Sequence, residues 1–372
     1  MCVPRRCLTN DEISQTLDTS DEWIRSRTGI ETRFIVEDGE STTQLSIAAA
    51  QAALQVADAD PREIDLILVG TATPDHPLPA TACQVQNALG ATHAGAVDLN
   101  AGCSGFVYAL AMGHQAIASG EHDLVLVVGA DTLSRTVDWQ DRSICVLFGD
   151  GAGAVLLRGS DGPSGVLATL MGADGSGADL LIIPAGGSAR PTTPETLSQG
   201  LNYLQMNGRE VYRFATRTLP RAVQQVVDKA GLPMAEIDWV VPHQANGRII
   251  ETAAERLKLP QERFIINLQR YGNTSAASVP IALCEALNDG RIRPGQSLVL
   301  VGFGAGLTWA AVALRWGVEP EEATSPKWRI LWRSLIYRWA SLRTGARRIG
   351  HWATVRLIRT AERYRNGHNG HS

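Results

Sequence analysis

The chain has 372 residues, 44% hydrophobic and 19% charged, with a formal net charge of −4. That is ordinary globular composition with room for a sizeable core, and it excludes collagen-like, disulfide-scaffold and disordered chains. No run of about 18 apolar residues occurs, so no membrane span is expected, and Arg5 and Arg6 are followed by no apolar run, so no secretory leader is expected either.

In chain order, periodicity predicts a helix over 43–57 and a short apolar strand in Glu63-Ile64-Asp65-Leu66-Ile67-Leu68-Val69. Ala96-Val97-Asp98-Leu99 then runs into Asn100-Ala101-Gly102-Cys103-Ser104-Gly105-Phe106, and a helical pattern continues through Tyr108, Leu110 and Met112. A cysteine at a helix start faces orphan N–H groups and the positive end of the helix dipole. That placement is expected to lower the thiol pKa and supply a thiolate nucleophile. The competing reading of Cys103 is a buried structural cysteine. A strand over 124–127 precedes the glycine-rich stretch Phe148-Gly149-Asp150-Gly151-Ala152-Gly153-Ala154. This stretch has neither the Lys-Ser/Thr of a phosphate loop nor dinucleotide-fingerprint spacing, and reads as a turn entering a strand at 154–157.

A helical pattern over 221–230 leads to a second strand, Glu236-Ile237-Asp238-Trp239-Val240-Val241, with Pro242-His243-Gln244-Ala245-Asn246 just past its end. Tyr271-Gly272-Asn273-Thr274-Ser275-Ala276-Ala277-Ser278 opens an apolar helix. Ligand sites in α/β proteins gather at the carboxyl ends of strands, where Cys103, His243 and Asn273 stand. Taken singly, His243 also reads as a satisfied core histidine and Asn273 as a helix N-cap. Two segments recur: the strand that opens at Glu63 returns at Glu236, and Leu124–Val127 returns as Leu298–Val301. The two offsets are nearly equal, which predicts two related α/β halves whose continuous apolar strands are buried on both faces. The six cysteines form no CxxC pair, which reads as reduced and intracellular. His76, His93 and His122 lack metal-ligand spacing.

The segments around Cys103, His243 and Asn273, with Gly302-Phe303-Gly304-Ala305-Gly306-Leu307-Thr308-Trp309, resemble β-ketoacyl-[acyl-carrier-protein] synthase III, from about Leu8 to about Trp316. The resemblance implies an α/β thiolase-like fold of two pseudo-duplicated halves, 1–165 and 166–317, followed by a linker and basic helical extension over 318–372. It implies an acyltransferase of fatty acid biosynthesis, condensing a short acyl-CoA with malonyl-[acyl carrier protein] in the cytoplasm. No cofactor, metal or nucleic acid is implied; acyl-CoA and malonyl-carrier protein are substrates. Cys103 would be the nucleophile, with His243 and Asn273 donating to the enolate oxygen. The backbone N–H groups of Cys103 and Ala305 would form the second oxyanion site. Thr19, Trp23, Arg27, Arg142, Tyr212, Asn246 and Phe303 would bind coenzyme A, with Trp23 and Arg142 sandwiching adenine. Arg213, Arg248 and Arg256 would receive the acidic carrier protein, with Glu255 where some relatives carry lysine. Leu78 would limit acyl length across a homodimer interface. Two alternatives stay open: a related condensing enzyme of polyketide metabolism, and a non-catalytic membrane-associated acyl-CoA-binding protein.

The chain departs from this pattern at both ends. The strand that relatives place before Pro4 is expected to be missing. Beyond a linker at 319–322, residues 327–365 hold eleven Lys/Arg against Glu362 alone. There Trp328, Leu331, Trp332, Leu335, Trp339 and Leu342 share one helical face, and Arg329 and Arg333 another. Three readings stand: a helix lying on an anionic membrane, a helix docked on the acidic body, and translation beyond a frameshift.

Overall fold

Two four-stranded sheets frame the computed structural model, which describes residues 1–317 and 328–346. The first holds β1 (Leu66–Gly70), β2 (Gly95–Leu99), β3 (Leu124–Asp131) and β4 (Gly151–Arg158), in the order β2-β1-β3-β4. The second holds β5 (Gly165–Ala173), β6 (Trp239–Pro242), β7 (Ser297–Gly304) and β8 (Thr308–Arg315), in the order β6-β7-β8-β5. β1 runs parallel to β3 as β6 does to β7, and β4 returns antiparallel to β3 as β8 does to β7. The repeated segments are therefore the matching strands β1/β6 and β3/β7.

The sheet edges extend the likeness. β2 pairs outside β1, and Phe264 makes a parallel bridge outside β6 at Val240. β5 pairs outside β8, and Cys2 bridges Ala152 at the corresponding edge of β4, with N–H···O distances of 2.8 Å in both directions. Among the described residues, that single bridge stands at the edge where the strand before Pro4 was expected to be missing.

The longer helices of the two halves are α1 (Asp21–Thr28), α2 (Thr42–Val56), α3 (Thr81–Leu89), α4 (Gly105–Ala118), α5 (Gly208–Lys229), α6 (Gly247–Leu257) and α7 (Ser278–Asn288). The pattern expected over 221–230 is the second half of α5, which Asn207 starts by accepting the Glu210 N–H. α4 and α7 lie between the sheets: Phe106, Val107, Val279 and Leu283 share a core with Val125 and Val127 of β3 and Leu298 and Leu300 of β7. α2 and α3 cover the outer face of the first sheet through Leu45, Leu54, Val85 and Leu89. α5 and α6 cover the second through Leu219, Val223 and Ile250. The result is a five-layer α-β-α-β-α stack, in which every residue of β3 and β7 is buried.

α4 starts at Gly105 and α7 at Ser278, which repeats the spacing of the strands. Their leading turns meet because Gly129 in β3 lacks a side chain; a Cβ there would come within 2.4 Å of the Ala276 oxygen. The central layer therefore brings two helix N-termini, one from each half, to one place.

The expected tail helix, α8, spans 328–346. It docks on the first half through its arginine face: Arg329 and Arg333 both pair with Asp58, and Asn87 donates to Thr344 at 2.8 Å. The linker at 319–322, Lys327 and the basic residues from 347 onward lie outside the described residues.

Candidate active site

Cys103 sits in a single 3₁₀ turn, Gly102–Ser104, at the head of α4. The end of β7 crosses directly over it. A Cβ on Gly304 would lie 2.6 Å from the Cys103 nitrogen and 2.8 Å from its Cβ, so only glycine permits this passage. Gly304→Ala is therefore expected to displace the nucleophile. A shift of about 1 Å costs on the order of 100-fold in kcat. Steady-state kinetics on the folded variant checks this, and an unchanged kcat would count against the packing argument.

The Ser275 hydroxyl donates to Cys103 Sγ at 3.3 Å. Ser275 holds a left-handed φ of 51°, and the turn around it is anchored by the buried Asp131, whose Oδ2 accepts the Ala276 N–H at 3.0 Å. Asp131 Oδ1 is held in turn by the Ala72 N–H and the Thr73 hydroxyl, both at 2.8 Å. The expected lowering of the thiol pKa is corrected here. Burial pushes the Cys103 thiol up to about 12, with Ser275 pulling the other way and the Asp131 charge adding to the rise. Desolvation of the charged form outweighs the favourable helix end.

His243 follows β6, and its N–H donates to the Val301 oxygen at 2.8 Å. Burial drives its imidazole down to about 3, so it is neutral near pH 7. Its Nδ1 lies 2.6 Å from Ser278 Oγ. In the tautomer whose Nδ1 accepts the Ser278 hydroxyl, the proton sits on Nε2 and makes that nitrogen a donor. Phe303 packs against the ring edge-on at 5.1 Å.

Asn273 is clamped by its backbone: its N–H donates to Leu147 O at 2.8 Å, and its O accepts the Gly149 N–H at 3.0 Å. Its Oδ1 accepts the Ser275 N–H at 2.9 Å. The N-cap reading is corrected: Thr274 stands at the cap of the Ser275–Ala277 turn and Ala277 at the cap of α7, so this is a local contact two residues on, which fixes the oxygen and leaves the Nδ2 amide as the donor end. The segment from Phe148 supplies this clamp, a role that the sequence reading missed because it depends on a contact between the two halves, Gly149 to Asn273. Asp131, Ser275 and Ser278 were missed likewise as supports. Ser275 and Ser278 lay inside the quoted motif, where hydroxyls flanking Asn273 were the available signal.

Cys103, His243 and Asn273 line one solvent-connected cleft, with a cavity volume of about 100 Å³, together with Tyr212, Asn246, Phe303, Gly304 and Leu307. Apolar walls with a few converging polar groups suit a small-molecule site. Asn246 also caps α6 through the Arg248 N–H and ties it to α1 by donating to the Arg27 oxygen. Ala305 packs on the nucleophile turn, its nitrogen 2.9 Å from where a Cβ on Gly102 would sit.

Trp23 does not line the cleft, but it shares an apolar cluster with Leu181 and Met206, which do. The guanidinium carbons of Arg27 and Arg142 stack over its ring at 4.8 and 5.4 Å, so adenine would enter by separating Arg142 from Trp23. The Thr19 hydroxyl is buried without a hydrogen-bond partner among the described residues. Of the three arginines expected to receive carrier protein, Arg213 pairs with Glu210 at 3.1 Å, Arg248 holds the Ser26 oxygen at 2.6 Å and Arg256 the Thr216 oxygen at 3.0 Å. Leu78 is 87% exposed and does not line this chain's cleft.

Residues 97–175 match the family model described as 3-Oxoacyl-[acyl-carrier-protein (ACP)] synthase III, and residues 227–316 match the model for its C-terminal part. The β-ketoacyl-[acyl-carrier-protein] synthase III of Symbiobacterium thermophilum is 52% identical over 317 residues, covering 85% of this chain and 96% of that protein. The protein of the same name from Roseiflexus sp. is 51% identical over 316 residues, covering 85% of this chain and 96% of that protein. The crystal structure of 3-oxoacyl-[acyl-carrier-protein] synthase III from Aquifex aeolicus VF5 superposes with a TM-score of 0.78 at 45% identity, over 84% of this chain and 97% of that one. Identity of this depth over nearly the whole length of those proteins means that the chain belongs to the β-ketoacyl-[acyl-carrier-protein] synthase III family, which has a thiolase-like fold.

Proposed function

We propose that this enzyme primes fatty acid synthesis by condensing a short acyl group, acetyl or similar, with malonyl-[acyl carrier protein]. The observation that carries the reading is that Cys103, His243 and Asn273, a thiol, an imidazole and a carboxamide, line one cleft.

In the first step, Cys103 Sγ gives up its proton and attacks the thioester carbon of acyl-CoA. The carbon–sulfur bond to coenzyme A breaks, and coenzyme A leaves as the thiol, taking up a proton. The N–H groups of Cys103 and Ala305 stabilise the tetrahedral oxyanion. In the second step, the malonyl carboxylate leaves as carbon dioxide and its electron pair moves onto the thioester oxygen as an enolate. His243 Nε2–H and Asn273 Nδ2–H hold that oxygen. The enolate carbon attacks the acyl thioester, and the Cys103 thiolate departs. Both steps use only these groups and the two substrates. The apolar walls around Phe303 and Leu307 favour losing the carboxylate charge before condensation.

Trp23, Arg27, Arg142 and Thr19 receive the nucleotide end of coenzyme A, and Tyr212, Asn246 and Phe303 its pantetheine arm. Trp23→Ala is expected to raise KM for acyl-CoA by about 5- to 100-fold, the worth of stacking one base, and to leave kcat near wild type. Initial rates across acyl-CoA concentrations check this split. The acidic carrier protein approaches the rim at Arg213, Arg248 and Arg256. A second copy pairs with the open edge of β2, where Val97 is 42% exposed, and carries Leu78 to the partner's acyl pocket. The two halves divide at about residue 165, and the enzyme works in the cytoplasm beside its carrier protein. No helix among the described residues is long and apolar enough to cross a membrane.

The direct test is intact-protein mass after incubation with acetyl-CoA, followed by malonyl-carrier protein. A single acyl adduct that disappears as β-ketoacyl-carrier protein forms supports the reading. An adduct that persists in the presence of malonyl-carrier protein, or no adduct with any short acyl-CoA, defeats it.

A further inference from the structure

α8 has an inner face that fixes its rotation. Arg333 is buried and reaches Asp58 at 3.0 Å, Arg329 pairs with the same carboxylate, Ala340 is fully buried, and Thr344 accepts from Asn87. Tyr337 packs against the apolar cluster that holds Leu54 and Leu89. The opposite face is then forced outward. Trp328, Leu331, Leu335, Trp339 and Leu342 lie in one stripe along it, 63%, 62%, 47%, 62% and 71% exposed.

The placement inverts the usual arrangement, in which a helix buries its apolar side against the core. Contiguous exposed apolar surface of this kind marks an interaction site. The charge around it selects the occupant. Arg338 and Arg343 belong to the same helix, and the sequence on either side adds Lys327, Arg347, Arg348, Arg356, Arg359, Arg363 and Arg365 against Glu362 alone. The rest of the chain, with a formal charge of −14 once this +10 segment is set aside from the total of −4, is repelled by an anionic surface. Facing two copies stripe to stripe would oppose two basic segments, which disfavours a second chain as the occupant. Tryptophan suits a boundary between apolar and wet regions.

We propose that α8 seats this enzyme on an anionic lipid surface, with the stripe from Trp328 to Leu342 entering the headgroup–acyl boundary and the flanking arginines meeting lipid phosphates. The docked inner face holds the body at the surface while the cleft stays on the folded halves.

The test is co-sedimentation of the full chain with vesicles containing phosphatidylglycerol, compared with pure phosphatidylcholine vesicles. Wild type is expected to bind the anionic vesicles and to release in high salt. The triple variant Trp328→Glu, Leu335→Glu, Trp339→Glu is expected to bind at least about 10-fold more weakly, with unchanged condensation in solution. Those three side chains lie outside the core, so the variant keeps its fold, and an unchanged thermal melt verifies this. The proposal is overturned if wild type ignores anionic vesicles, or if the variant binds as tightly, since the basic residues alone would then hold the membrane. It is overturned equally if sedimentation velocity finds that the stripe variant dissociates an assembly that wild type forms without lipid.

Discussion

Cys103→Ala is expected to eliminate the acyl adduct and to lower condensation by roughly 10⁴-fold or more, because acyl transfer loses its only nucleophile. No other cysteine among the described residues lines the cleft, so the adduct has nowhere to relocate. Cys145, the other buried cysteine, is not among the cleft-lining residues but lies in the apolar cluster that holds Trp23, and burial holds its thiol up near 11. Decarboxylation of malonyl-carrier protein is expected to continue in this variant, since His243 and Asn273 remain. Measuring adduct mass and carbon dioxide release together separates the two half-reactions; an adduct that survives the substitution would sink the assignment. Cys103→Ser should be nearly as inactive, because an alcohol needs a base and the neighbouring Ser275 hydroxyl donates to position 103. The sign of the pH effect follows from the raised thiol. With its pKa near 12, the thiolate fraction grows about tenfold per pH unit throughout the neutral range. The wild-type acylation rate in kcat/KM is therefore expected to climb from pH 6 to pH 9 rather than level off above pH 7.

The sequence made the frame of this enzyme legible because the frame is built from local signals. Continuous apolar strands that recur at one spacing name their own partners, and β1/β6 and β3/β7 match in the structure. The placement of Cys103 and His243 followed from their positions beyond β2 and β6, whereas Asn273, expected beyond a strand, follows the short helix Leu268–Tyr271 and is brought to them by its bonds to Leu147 and Gly149. What stayed hidden depends on distant contacts. The rise of the Cys103 thiol comes from the water that β7, α4 and the 275–277 turn exclude together, and a helix-start argument counts only the dipole. The clamp on Asn273 comes from Leu147 and Gly149, in a segment whose glycines first read as a simple turn. The outward stripe of α8 was hidden for a related reason. Periodicity identifies an apolar face, but the ion pairs to Asp58 decide which face the body takes.

His243→Ala and Asn273→Ala are each expected to slow decarboxylative condensation by about 100- to 1000-fold, the cost of losing one preorganised oxyanion donor. Acylation of Cys103 should stay within a few-fold of wild type in both, because neither side chain serves the first step. In the proposed mechanism both donors address one enolate oxygen, so the double variant should lose less than the product of the two single losses. Single-turnover transfer from acetyl-CoA, followed by a malonyl-carrier protein chase, resolves these effects. Equal losses in both half-reactions would assign His243 to proton removal from the thiol instead. The pH profile supplies an independent discrimination. An ordinary imidazole gains a proton near 6.5, which would end its acceptance of the Ser278 hydroxyl at Nδ1. Buried His243 refuses that proton until about pH 3. The decarboxylation step should therefore have no limb due to His243 between pH 5 and pH 8, and a limb near 6.5 that disappears in His243→Ala would mean that the histidine acts as a titrating base. Neutrality suits the donor role: a neutral imidazole gives its Nε2–H to the forming enolate without first attracting the malonyl carboxylate, whose charge the cleft must lose.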